Sequence, residues 1–227
     1  LDELYCDVDG TFPNHHPDPT VEENLEDLIQ KMKTGKYDVG IAFDGDADRI
    51  GVVDEKGDVI WADQLMALFL PEIISPGDEI LYDVKCSKSL EEMIVRYGGK
   101  PVMWKTGHSL VKQKMFELNC KFGGEMSGHI FFADDYFGFD DGIYVAARLL
   151  QTLSRSSKKL SELKDELPRY YSTPEMRLEA NSDEDKFKII PIVRGFIELG
   201  FNIIATSGTA HEIVKNGMIA STIFKVG

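Results

Sequence analysis

The chain has 227 residues, 43% of them hydrophobic, with 39 acidic against 25 basic residues and a net charge of −14. That length allows more than one α/β domain, and a field of that sign works against nucleic acid as a partner while still allowing a local basic pocket that takes an anion. The three cysteines, Cys6, Cys86 and Cys120, form no CxxC pair and are odd in number, as expected of reduced thiols in a cytoplasmic protein.

Residues 1 to about 36 are polar and acidic, with a Pro- and His-rich loop from Phe12 to Pro19. The chain starts at Leu1 rather than methionine and no signal peptide opens it, so a fragment or processed chain is expected. Leu25, Leu28, Ile29 and Met32 share one face at helical spacing, which predicts a helix over Glu22–Met32. Val39–Phe43 reads as a buried strand. Ile50–Val53 and Asp58–Trp61 read as two more, joined by a turn at Glu55–Gly57. A helix is predicted over Gln64–Ile73, and Pro76-Gly77 marks the first expected domain boundary.

Beyond it, strands and helices alternate. Strands are predicted over Glu79–Val84, Pro101–Trp104, Lys121–Gly123, Ile130–Phe132 and Glu175–Leu178. Helices are predicted over Ser87–Tyr97, with Ser87 as N-cap, and over Ser109–Leu118, Asp141–Leu153 and Leu160–Leu167. The tail reads helix, strand, helix, strand: Asp185–Leu199, Phe201–Ala205, Ala210–Asn216, Ala220–Val226. The alternation implies an α/β fold of mixed sheets flanked by helices in a multi-domain fragment, divided at 1–75, 76–181 and 182–227. No apolar run is long enough to cross a bilayer, so no membrane partner is expected.

Asp44, Asp46 and Asp48 alternate along a turn that ends at Arg49. Gly45 is expected to let the backbone fold tightly enough for the three carboxylates to converge. Converging anions repel unless a cation sits among them, and Mg²⁺ is the usual hard cation beside phosphate. Arg49 adds a planar donor fork suited to a phosphate oxygen. Glu55 falls at the twelfth position of an EF-hand count, but Arg49 occupies the sixth, where that loop needs glycine, and strands flank the turn.

The run FDGDADRIGVVDEKG, with VDGTFPNHHPDPTVEENLEDL upstream, resembles the metal loop of the phosphohexomutases and the approach to it. The resemblance implies that Asp44, Asp46 and Asp48 hold Mg²⁺ together with a phosphoserine oxygen, and that Arg49 supports that phosphate.

Three further loops carry basic and histidine residues. DVKCSK puts Lys85 at a strand's carboxyl end, where α/β sheets bind ligands. KTGH puts Lys105 and His108 at another, with Ser109 opening a helix whose free N–H groups suit an anion. GGEMSGH frames Glu125, Ser127 and His129 with glycines. Glu125 and Ser127 suit vicinal sugar hydroxyls, and His129 suits proton transfer near neutral pH. Singly, such a lysine is more often solvated surface and such a histidine more often structural; their conjunction in this order is informative. KCSKSL, WKTGHSLVK, GGEMSGHIFF and GFDDGIYVAARLL are similar to the third domain of bacterial phosphomannomutase/phosphoglucomutase, and the resemblance covers residues 3 to 189. It implies that Glu125 and Ser127 select the sugar ring, that Lys85, His108 and His129 line the active site, and that His129 helps as acid or base. Hexose phosphates are the implied ligands.

The family's phosphoserine loop, of SHNP type, and its fourth-domain phosphate loop do not occur in the sequence. The chain by itself is therefore expected to show no mutase turnover, since the phosphate donor would be missing. Incomplete domains are expected to expose sheet edges through which chains self-associate.

The tail ELGFNIIATSGTAHEIVKNGM, followed by FKV, resembles the methylglyoxal-synthase-like regulatory domain of carbamoyl-phosphate synthase large chains. There the strand-to-helix turn grips an anionic group, which implies an anion site at Thr206, Ser207, Gly208 and Thr209; a capped helix with a glycine turn explains the same residues. A junction near DEDKFKII is expected between the two resemblances. A non-catalytic anion- or effector-binding module built around Thr206 to Thr209 is therefore a second reading beside the mutase core, and Asp7-Val-Asp-Gly-Thr11, which matches the DxDGT nucleophile signature of the haloacid-dehalogenase phosphatases, leaves a phosphatase as a third.

Overall fold

The computed structural model describes residues 1–171 and 187–223. They fall into two compact units, Leu1–Tyr170 and Tyr171–Gly227. The strand expected over Glu175–Leu178 lies outside the described residues.

The first unit holds two sheets. A 3₁₀ turn over Glu22–Leu25 leads into α1 (Glu26–Met32). Strands β1 (Val39–Phe43), β2 (Ile50–Asp54) and β3 (Val59–Ile60) then form an antiparallel sheet in the order β1-β2-β3. All five residues of β2 are buried. β1, expected to be buried, is only half-buried, because as an edge strand it has a neighbour on one side alone. Leu25, Ile29 and Met32 pack on Val53 from α1's side, as their helical spacing predicts.

Helix α2 (Ala62–Ile73) buries residues all round, among them Leu65, Met66, Phe69, Leu70 and Ile73. A helix apolar on every side must sit inside a core. α2 does so, sharing one cluster with Ile50 and Val52 of β2 and with the second sheet. Segments divided at Pro76-Gly77 in the sequence therefore pack on a common core.

That second sheet has the order β5-β4-β6-β7, built from β4 (Glu79–Asp83), β5 (Lys100–Trp104), β6 (Phe122–Gly124) and β7 (Ile130–Phe132). β4 pairs parallel with β5 and β6, and β7 turns back antiparallel to β6. Helices α3 (Lys88–Arg96) and α4 (His108–Leu118) make the crossovers, and α5 (Gly142–Arg155) and α6 (Leu160–Asp165) follow β7. Phe69, Phe122 and Phe132 meet edge-on or tilted at 4.9–6.2 Å between ring centroids, an arrangement aromatic quadrupoles favour.

Capping departs from expectation at α3. Ser87 stands at the N-cap but its hydroxyl makes no cap bond. Its backbone N–H donates instead to Asp63 Oδ2 at 2.8 Å, tying the loop to the start of α2. At α5 the expected first residue, Asp141, is the N-cap. Its Oδ1 accepts from Tyr144 N–H at 2.9 Å and its Oδ2 from the Tyr136 hydroxyl at 2.6 Å. Glu55 accepts the Ser161 hydroxyl at 2.6 Å and its N–H at 3.2 Å. The carboxylate that an EF-hand would spend on calcium thus anchors the start of α6.

The second unit contains α7 (Ile189–Glu198), β8 (Ile204–Thr206), α8 (Ser207–Lys215) and β9 (Ser221–Ile223). The last two strands pair parallel around α8, a βαβ turn. Val193, Ile213 and Met218 form its core. α8 begins at Ser207, three residues before the predicted start. Among the described residues, no helix is long and apolar enough to cross a membrane.

Candidate functional site

β4, β5 and β6 run parallel, so their carboxyl ends lie on one edge of the sheet. The loops that follow carry Lys85, then Lys105 with His108 at the first turn of α4, then Glu125, Ser127 and His129. The acidic loop docks against this edge. Ile50 N–H donates to Gly128 O at 3.3 Å. Gly128 sits at φ +99°, and a Cβ there would lie 2.9 Å from Ile50 O, so the approach requires glycine.

Ligand atoms of Asp44, Asp46 and Asp48 lie within 4.8 Å of one another. The turn that gathers them is made differently from expectation. Gly45 is not in the left-handed region; Ala47 is, at φ +60°. That conformation costs a non-glycine residue about 1–2 kcal/mol, and such strain collects where the surroundings impose a geometry. Asp44 is 5% exposed and takes Arg49 Nε on Oδ2 at 2.7 Å and Arg49 N–H on Oδ1 at 3.1 Å. Burial pushes the Asp44 carboxyl up, but the bonds and charge of Arg49 outweigh it and hold the pKa below the usual carboxylate range. Asp48 goes the other way. Burial, then the charges of Asp44, Asp46 and Asp140, raise it against the opposing pull of His129.

Asp18 was not anticipated from sequence. Its Oδ1 lies 3.2 Å from Arg49 Nη1 and also accepts from Thr20, so it fixes Arg49 from the far side. The tract VDGTFPNHHPDPTVEENLEDL contains it, but nothing local distinguishes it from its acidic neighbours.

His129 joins the two halves of the site. Its Nε2 lies 3.4 Å from Asp48 Oδ1 and 3.9 Å from Asp140 Oδ2. Its Nδ1 lies 3.2 Å from Glu125 Oε2 and 3.0 Å from Ser127 Oγ. Burial lowers its pKa, but Glu125, Asp48 and Asp140 together raise it above the ordinary histidine value. The His108 ring stacks on it, with centroids 5.3 Å apart.

Asp140 was also not anticipated. It lies 3.0 Å from His108 Nδ1 and accepts from Lys112 Nζ at 2.7 Å. Burial opposes ionisation, yet Lys112, the backbone and His108 hold its pKa down. Lys112 lies one helical turn after His108, a spacing that could have flagged it.

Glu125 is buried beside His129. It is 1% exposed, its Oε1 accepts Gly107 N–H and its Oε2 faces His129. Here it links the loop of Gly107 to His129. Lys85, Lys105 and His108 are exposed, and Ser127 is half-buried. Thr206 is the N-cap of α8, so Ser207, Gly208 and Thr209 form its first turn; Thr206 Oγ1 lies 3.4 Å from Thr209 Oγ1. Asp7 follows no strand, and Asp9 is occupied with the Thr11 N–H and hydroxyl. The phosphatase signature therefore lacks the strand end that would aim its nucleophile.

Fold and geometry define an α/β protein in which an oxygen-donor acidic loop faces a sheet edge bearing lysines and histidines. Residues 1–57 match phosphoglucomutase/phosphomannomutase, alpha/beta/alpha domain II, and residues 61–171 match domain III of the same family. A Pseudomonas aeruginosa phosphomannomutase/phosphoglucomutase is 50% identical over 205 residues, 89% of this chain and 44% of that protein. A Neisseria gonorrhoeae phosphoglucomutase is 46% identical over 83% of this chain and 41% of its own length. The crystal structure of a phosphoglucomutase/phosphomannomutase family protein from Burkholderia thailandensis superposes with a TM-score of 0.73 at 52% identity, covering 77% of this chain and 38% of that one. The chain belongs to the phosphoglucomutase/phosphomannomutase family, and it spans less than half the length of the curated relatives it matches. Residues 188–227 match an MGS-like domain. A Pseudomonas putida relative, 51% identical, covers 94% of the chain, so its match also runs into these residues.

Proposed function

We propose that residues 1–170 form the metal- and sugar-binding side of a phosphohexomutase active site, whose reaction interconverts hexose 1-phosphate and hexose 6-phosphate through a phosphoserine enzyme. The observation that carries this reading is the 3.4 Å approach of His129 Nε2 to Asp48 Oδ1. It joins the acidic loop to the glycine-framed loop, so one ligand can touch both.

Asp44, Asp46 and Asp48 would hold Mg²⁺. The donor set fits, being three hard carboxylates with ligand atoms within 4.8 Å, and burial followed by the neighbouring carboxylates raises the pKa of Asp48. When bound, the ion offsets charge on the transferring phosphoryl group. Arg49, steadied by Asp44 and Asp18, has further N–H groups for a phosphate oxygen. Lys85, Lys105 and His108 receive the phosphate of the sugar, and Ser127 receives a ring hydroxyl. His129 handles a proton at Nε2, while Glu125 holds its Nδ1 side in place. Positioning and fixed charge supply most of the rate in such reactions. A cytoplasmic location accords with the chain's three free cysteines.

The test is an NMR titration with glucose 1-phosphate and mannose 1-phosphate, with and without Mg²⁺. Shifts clustered at Lys85, Lys105, His108, Ser127 and His129 are expected. An intact fold with no shift there would overturn the reading.

The MGS-like match favours a second reading for the tail alone, an anion site at the first turn of α8. Loss of phosphate binding in Thr209→Ala, with hexose phosphate shifts at Ser127 unchanged, would support it.

A further inference from the structure

Asp83, the last residue of β4, is fully buried. β4 lies between β5 and β6, and all three run parallel, so Asp83 stands in the middle of the edge from which the site loops emerge. Neighbouring strands are about 4.8 Å apart, within reach of one short side chain on either hand.

Each of its partners comes from a different loop. Oδ1 accepts from the Cys86 thiol at 3.1 Å and from Met126 N–H at 3.0 Å, and Oδ2 accepts from the Thr106 hydroxyl at 2.8 Å. Cys86 belongs to the loop of Lys85, Thr106 to that of Lys105, and Met126 to that of Ser127 and His129. A buried carboxylate is tolerated only when its oxygens are satisfied, so the three loops must hold these positions together. Burial, then the charges of Asp83 and Asp63, push the Cys86 thiol well up, which keeps it a hydrogen donor.

We propose that Asp83 is a positioning residue that ties the three ligand-bearing loops of the sheet edge into one unit. The consequence for hexose phosphate affinity rests on the proposed function; the coupling of the loops does not.

Asp83→Leu keeps a branched side chain without acceptors. Asp83→Asn keeps an acceptor for Met126 and Cys86 and turns an amide toward Thr106, whose hydroxyl can accept. Amide hydrogen exchange in Asp83→Leu is expected to quicken about tenfold or more in residues 84–87, 105–108 and 125–129 together, with Leu81 and α3 unchanged. Asp83→Asn is expected to restore all three loops. A rise in one loop only, or an even rise through β4 and α3, overturns the proposal. Should Asp83→Leu not fold, native-state exchange of the unaltered chain in low denaturant decides. One shared opening step for the three loops supports the proposal, and independent openings refute it. In parallel, glucose 1-phosphate affinity is expected to fall about tenfold in Asp83→Leu and to recover in Asp83→Asn. If the unaltered chain binds no hexose phosphate, the proposed function fails, while the exchange result still judges Asp83.

Discussion

The backbone N–H of Gly142 donates to the carbonyl oxygen of Ala47 at 2.9 Å, joining the first residue of α5 to the strained residue of the acidic loop. A Cβ at Gly142 would lie 2.8 Å from Arg49 O and 2.9 Å from Ala47 O, both backbone atoms that cannot rotate aside. Gly142→Ala is therefore expected to push the acidic loop off α5. The cost is about 1–3 kcal/mol, as for other overpacked sites, with a loss of Mg²⁺ affinity. Urea denaturation and a calorimetric Mg²⁺ titration measure the two effects.

Arg49 braces the acidic loop from within. In Arg49→Met, Asp44 loses its partner and the loop loses its link to Asp18. Removing a group that orients a metal ligand costs on the order of 10–100-fold in affinity. That drop is expected for Mg²⁺ by calorimetry, and an unchanged affinity would show that Arg49 does not order the ligands.

At Asp141 one carboxylate serves two donors, the Tyr144 N–H that caps α5 and the Tyr136 hydroxyl. Asp141→Ala is expected to destabilise the fold by about 1–2 kcal/mol through loss of the cap. Asp141→Asn should recover most of this in urea denaturation, since an amide oxygen can still cap.

Asp134 and Arg148 form a two-bond ion pair at 2.9 and 3.1 Å, with the guanidinium over the Phe132 ring. Burial alone would raise the Asp134 carboxyl, but the bonds and charge of Arg148 outweigh it and the pKa falls below 3.8. A carboxyl depressed on folding stabilises fully above its unfolded pKa, and the gain disappears as pH drops through the folded value. The stability difference between the unaltered chain and Asp134→Asn should stay flat above about pH 5 and shrink below it. A difference that persists unchanged at the acid end would contradict the assignment.

Much of the fold was legible because its signals are local. The apolar spacing around Ile29 marks α1, the turn at Glu55–Gly57 separates β2 from β3, and the Ile130–Phe132 run is β7 without adjustment. The acidic loop and the three basic loops were legible as motifs because each is one short stretch of chain. Chemistry is written there in residue type and spacing, and these survive without knowledge of the fold.

Tertiary structure alone decided what lies between the motifs. Ser87 stands at the N-cap its type suggests, but the tie of its N–H to Asp63, in another helix, has no mark in the sequence. Glu125 reads as one polar residue of a short loop, but folding buries it against Gly107 and His129. Gly45 looks like the pivot of the acidic loop, but the positive φ falls on Ala47, whose carbonyl oxygen accepts from Gly142 N–H of α5. Asp18, Asp83 and Asp140 carry no local mark, since their importance comes from partners distant in sequence. Sequence by itself determined the family and most of the element types. The packed structure determined which reactive side chains face outward and which hold the others in place, because a carboxylate's role depends on its donors and its burial, and both exist only once the strands and helices have met.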